Sequence, residues 1–177
     1  SIITPYNQSD VNFDWKDFRE KINEELIANI GNFIHRTLSF IWSNFNGKVP
    51  EAEEYDELDF QFKEKIKAIA NDVEDELKRI ELNKGLVKIL KFSSFCNQYF
   101  QRKQPWARKE NAKTCLYLCA NAVRNLAILL APYLPSSAEN VWQQLNLEGS
   151  VHKQGWSSAS ELNVKSGHKI GKPRPLF

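Results

Sequence analysis

The stretch NQYFQRKQPWARKEN, residues 97–111, places a tryptophan directly after a proline inside a basic run. Large aromatics normally sit within apolar runs, but the neighbours of Trp106 are Gln104, Pro105, Arg108 and Lys109. Such a ring either plugs a helix junction or is held out for a ligand. A second pair stands earlier in the chain. Asn32 and Arg36 are four apart, so they are neighbours on one helical face. At about 100° per residue, that face points roughly opposite the apolar stripe of the same helix, and Glu25, Ser39 and Ser43 share it. An amide beside a guanidinium can read the edge of a nucleobase. Exposed Asn and Arg are also ordinary solvated residues, and spacing alone does not separate the two.

Charge is segregated along the chain behind a formal net charge of +2. Eleven acidic residues and three lysines lie between Glu51 and Glu76. Seven basic residues and no acidic one lie between Lys84 and Lys109, and four basic residues follow from Lys165 to the end. The basic segment before Trp106 is interleaved with Phe92, Phe95, Tyr99 and Phe100. That combination suits nucleic acid, because cations meet phosphates and rings stack on bases. The alternative is a solvated face balanced by its acidic neighbour.

Other chemistries find little support. No phosphate-binding glycine loop, HExxH zinc motif or nucleophile elbow occurs. HKIGK at 168–172 lacks a strand before it and a helix after it, so it reads as a basic turn. Cys115 and Cys119 share a helix face, but the three histidines (His35, His152, His168) form no cluster with them. They read as small core residues rather than a metal site. Three cysteines make a poor disulfide framework, and reduced thiols fit a cytoplasmic protein.

The elements that must position these residues are helices almost throughout. The first is expected over Asp14–Asn46, with apolar residues from Trp15 to Phe45 in steps of three or four. Asp14 is its expected N-cap, Gly31 marks a bend or close contact, and Gly47 stops it. A second is expected over Asp56–Leu82 and a third over Lys84–Lys103. Pro105 ends the third, since the residue before proline avoids helical angles. A fourth spans Lys109–Leu130 and breaks at Pro132 and Pro135. A fifth runs from Ser136 to Leu145. The spacing predicts an all-α, antiparallel bundle of about five helices with an extended C-terminal tail. The expected division is a linker over 1–13, the bundle over 14–149 and the tail over 150–177, docked back by Trp156 and Ile170.

Length and composition agree with this. A chain of 177 residues with 42% hydrophobic residues is about one globular domain. No apolar run approaches a bilayer span, and SIITPYNQSD has no signal-peptide pattern. The chain begins at Ser1 and contains no Met, which points to a piece of something longer.

These stretches resemble the anticodon-binding helical domain of methionyl-tRNA synthetases, class I aminoacyl-tRNA synthetases, over nearly the whole chain. NFDWKDF looks like the linker out of the catalytic domain, LIANIGNFIHR like the first bundle helix, and GHKIGKPRPLF like the closing tail. LLAPYLPSSAENVW is shared with the valine, isoleucine and leucine enzymes, so it marks only the superfamily. NQYFQRKQPW and the tail are more specific, and they look most like the archaeal and eukaryotic type.

The resemblance implies recognition of the CAU anticodon of methionine tRNA. Family residues that meet the anticodon match Asn32, Arg36, Pro105 and Trp106. It also implies a parent, methionine-tRNA ligase, that charges tRNA using ATP, with Mg and Zn in its catalytic part. The ATP-binding HIGH-like and KMSKS-like signatures are absent from this chain, so it should be inactive alone. The implied partners are the tRNA and the upstream catalytic domain of the same protein, in a monomer. Two other readings stay open: the equivalent domain of another class I synthetase, and a helical protein-interaction scaffold.

Overall fold

A computed structural model describes residues 26–78 and 82–176, together with Lys16, Asp17, Glu20, Lys21 and Glu24. Among the described residues a π-helical segment, Leu26–Gly31, leads into α1 (Asn32–Asn44). Then come α2 (Glu57–Lys78), α3 (Leu82–Lys103), α4 (Lys109–Leu130) and α5 (Pro135–Gln144). The all-α reading holds. The expected cap at Asp14 lies outside the described residues. Gly31 ends a wide turn rather than bending a continuous α-helix. Gly47 does follow the end of the helix, at φ +72°, where a side chain would be strained.

Each boundary has a local cause. Asp56 and Asp59 cap α2 reciprocally: the Asp59 N–H donates to Asp56 Oδ1 at 3.0 Å and the Asp56 N–H to Asp59 Oδ2 at 2.9 Å. This is a capping box, worth about 1 kcal/mol. Leu82 opens α3 instead of closing α2, and Gly85 does not break that helix. Its missing Cβ makes room for the Tyr133 hydroxyl, so its use is close packing. Pro135 starts α5 at a position where its absent N–H is harmless.

α4 is the central helix. Every residue from Leu118 to Leu130 is buried. α1 contributes Phe33, Ile34, Leu38 and Ile41 to the core, and α2 contributes Phe62, Ile66, Ile69 and Val73. Each such side chain gains about 1.5–3 kcal/mol by leaving water. A helix buried on all sides must bury its polar residues too. Asn121 exchanges two hydrogen bonds with the Val164 backbone, at 3.2 and 2.8 Å. Asn125 donates to the Glu161 carbonyl at 3.0 Å, and Arg124 to that of Ser158 at 2.8 Å.

Those partners belong to the C-terminal segment. It is not extended throughout. Two 3-10 turns, Val151–Lys153 and Trp156–Ser160, interrupt it, the first capped by the Ser150 hydroxyl. The Trp156 ring N–H donates to the Ala70 carbonyl of α2 at 3.0 Å. Ile170 is buried, and its N–H donates to the Gly47 carbonyl at 2.8 Å. Lys169 and Lys172 stay exposed.

Candidate nucleic-acid interface

The joint between α3 and α4 is built by its own sequence. Gln104 takes φ +48°, the left-handed conformation that ends a helix, and its N–H still donates to the Phe100 carbonyl at 3.2 Å. Its own carbonyl then accepts the N–H groups of Ala107 (3.0 Å) and Arg108 (2.7 Å). Pro105 cannot continue the helix and is buried, while Trp106 beside it is 43% exposed. The ring therefore faces outward from a joint whose backbone is hydrogen-bonded on both sides.

Beneath the ring is a stack. The Phe100 and Trp106 rings lie 6.0 Å apart at 28°. The Arg36 guanidinium sits 4.6 Å from the Phe100 centroid and 5.9 Å from that of Trp106, in cation–π range. One Arg36 N–H group donates to Gln101 Oε1 at 3.2 Å. Phe40, one turn beyond Arg36, meets Phe100 edge-on at 6.2 Å and 85°. Arg36 and Trp106, 70 positions apart in the sequence, thus share one platform. Asn32 is exposed one turn before Arg36 on α1, and Arg102, Arg108 and Lys109 are exposed around the joint.

One expectation needs correcting. Arg36 does not point away from the bundle; it is half-buried against the last turn of α3. A single-stripe helical wheel gives α1 one packed face, but α1 has two. Its apolar stripe meets α4, and a polar and aromatic flank meets α3. The π-helical turn before it extends the second contact: Asn97 donates to the Asn29 carbonyl at 2.8 Å and Ser94 to Asn29 Oδ1 at 3.3 Å. Sequence reasoning missed Gln101 and left Phe100 as one aromatic among several. Their signal was position, in the helix turn just before the Pro105 break.

The thiols take no part in this surface. Cys96, Cys115 and Cys119 are buried and unpaired, and burial pushes the Cys96 and Cys119 thiols up. Among the described residues, no group of three His, Cys, Asp or Glu side chains could hold a metal ion. No helix there is long and apolar enough to cross a membrane.

The sequence pattern that defines the anticodon-binding domain of tRNA ligases matches residues 59–172. The chain belongs to that family. A second pattern, of class I tRNA synthetases (M), matches residues 2–38. The anticodon-binding domain is 41% identical to the methionine–tRNA ligase of Methanopyrus kandleri, covering 99% of this chain and 26% of that protein. It is 37% identical to that of Pyrococcus abyssi, covering 95% of this chain and 23% of that protein. The chain therefore spans about a quarter of the length of these curated relatives. Its fold matches a crystal structure of Mycobacterium tuberculosis methionyl-tRNA synthetase bound by methionyl-adenylate. The TM-score is 0.82 at 24% identity, over 93% of this chain and 34% of that one.

A domain that meets an anticodon loop needs flat faces for unstacked bases and fixed donors for their edges. Trp106 presents an exposed flat face. Beside it, Phe100 and Gln101 hold the Arg36 guanidinium in place.

Proposed function

We propose that this chain recognises the CAU anticodon of methionine tRNA, as the tRNA-binding part of a methionine-tRNA ligase. The observation that carries the reading is the Trp106 platform: an outward ring stacked on Phe100, with Arg36 layered against both. The likeness to relatives named methionine–tRNA ligase supports the amino acid. Trp106, set by Pro105, stacks on a splayed base for about 1–3 kcal/mol. The Asn32 amide accepts from N4 of the first anticodon cytosine and donates to its N3, and Arg36 donates to O2. Uracil reverses the polarity at the first two positions and leaves the protein groups unpaired.

In this reading residues 1–13 lead from the catalytic domain, 14–149 form the recognising bundle and 150–177 cover it. The parent works in the cytoplasm as a monomer and joins methionine to tRNA with ATP. Its catalytic part holds the nucleotide, Mg and Zn. This chain forms no methionyl-adenylate alone. Two measurements test the reading together. A methionine anticodon stem-loop should bind the chain with a strong salt dependence, and pyrophosphate exchange should not exceed that of a boiled control. A preference for a stem-loop with another anticodon would point to a different synthetase. Absence of any salt-dependent RNA binding would leave a protein-interaction scaffold.

A further inference from the structure

The base of the Trp106 joint holds a buried cation that anticodon contact does not use. Lys103, the last residue of α3, is 2% exposed. Its Nζ lies 2.6 Å from Asp56 Oδ2 and 3.1 Å from Asp59 Oδ1, and it donates to Asp59 Oδ2 at 3.2 Å. The Tyr99 hydroxyl donates to Asp59 Oδ1 at 2.6 Å. The two carboxylates are the same ones that cap α2. On the other side, Asn111 of α4 donates to the Lys103 carbonyl at 3.0 Å. One residue thus ties the end of α3 to the start of α2 through its side chain and to the first turn of α4 through its backbone. Three positions later stands Trp106.

A buried ammonium is an expensive way to pin a helix end, since desolvation opposes it and an apolar residue packs as well. What the ion pairs add is geometry: a fixed direction for the last turn of α3, where Phe100 and Gln101 sit. We propose that Lys103 is the positioning residue of the Trp106 platform, and that its clamp on Asp56 and Asp59 sets the angle at which the ring meets RNA. The charges agree with a formed clamp. Burial would lower the Lys103 ammonium and raise the Asp56 carboxyl, but their mutual hydrogen bonds outweigh it, so Lys103 ends above its ordinary value and Asp56 below.

The inference rests on the anticodon reading, and the test separates the two. Lys103→Met removes the clamp. Asp56→Asn weakens it while keeping an N-cap oxygen at an exposed position, so it serves if Lys103→Met fails to fold. Each is made in the chain and again with Trp106→Ala, and binding of the methionine anticodon stem-loop is titrated. In parallel, fluorotryptophan labelling reads the tryptophan resonances by 19F NMR. Lys103→Met should weaken binding about tenfold, and Asp56→Asn about threefold, in the native background but less than twofold when Trp106 is already absent. The Trp106 resonance should shift while those of Trp142 and Trp156 stay in place. Equal losses in both backgrounds, or movement of all the resonances together, would make Lys103 an ordinary stabilising residue and overturn the proposal. A Trp106 shift with no stem-loop binding by the native chain would support the clamp and overturn the anticodon reading instead.

Discussion

The α3–α4 joint and the α4–α5 joint each set an aromatic ring directly after a proline: Trp106 after Pro105, and Tyr133 after Pro132. At the first, the proline is buried and the ring is exposed. At the second, the proline is exposed and the ring is half-buried, with its hydroxyl in the space that Gly85 leaves on α3. Burial pushes the Tyr133 phenol from 10.0 up to about 12. The same local grammar therefore yields a surface or a plug. What decides is the partner beneath. A glycine opens a slot that admits a ring, whereas Phe100 and Arg36 fill the space under Trp106 and hold it outward. The chain carries one joint with an exposed ring and one with a packed ring.

The largest way to separate the two is to strip the cover from the side Tyr133 faces. Val73 of α2 lies beside Gly85, and one turn away the Ala70 carbonyl accepts from Trp156 of the C-terminal segment. Truncation after Gly149 removes that segment, with the buried Val151, Val164 and Ile170 and the partners of Asn121, Arg124 and Asn125. Each lost apolar side chain forfeits about 1.5–3 kcal/mol of burial, and 1 kcal/mol shifts Tm by about 2–4 °C in a domain of this size. Calorimetry should show a fall of about 10 °C or more. Stem-loop affinity, measured well below the new midpoint, should stay within about twofold. An unchanged Tm would mean the segment contributes nothing to the bundle.

Next comes the exchange of the two rings. Trp106→Ala should weaken stem-loop binding about 5- to 150-fold, the equivalent of about 1–3 kcal/mol of stacking, with Tm within about 2 °C. Tyr133→Ala should do the reverse, lowering Tm by about 4–10 °C and leaving affinity within about twofold. If both substitutions lower Tm alike, Trp106 is a plug as well.

Much of this was legible beforehand. The bounds of α4, the end of α3 at Lys103 and the role of Pro105 follow from apolar period and proline chemistry, which act within a few residues. The flank that buries Arg36 was not legible, because it is made by Phe100 and Gln101, far away in the sequence. Nor were the buried amides of α4. Asn121 and Asn125 look like solvated residues until the C-terminal segment supplies their backbone partners. The use of Gly85 appears only once Tyr133 is beside it.

A smaller effect lies in base selection. Changing Asn32 or Arg36 to Ala should reduce discrimination between cytosine and uracil at the first anticodon position by about 1–3 kcal/mol. Competition binding with the two stem-loops measures it. A uniform loss on both would assign these residues to the RNA backbone alone.

The smallest effect is one of pH. The folded Tyr133 phenol ionises less readily than the unfolded one. Its contribution to stability is thus fully present below pH 10 and is lost as pH rises through about 12. Tyr133→Phe should flatten that part of the stability profile in denaturant titrations. An equally steep profile in the variant would place the alkaline loss elsewhere.

The central claim is that the Trp106 platform reads an anticodon beginning with cytosine. Isothermal titration of the native chain with two methionine stem-loops, CAU and UAU, at one fixed salt concentration tests it most directly. Binding of CAU at least about fivefold tighter, with the difference lost in Arg36→Ala, is the expected result. Equal affinity for the two loops in the native chain would contradict it.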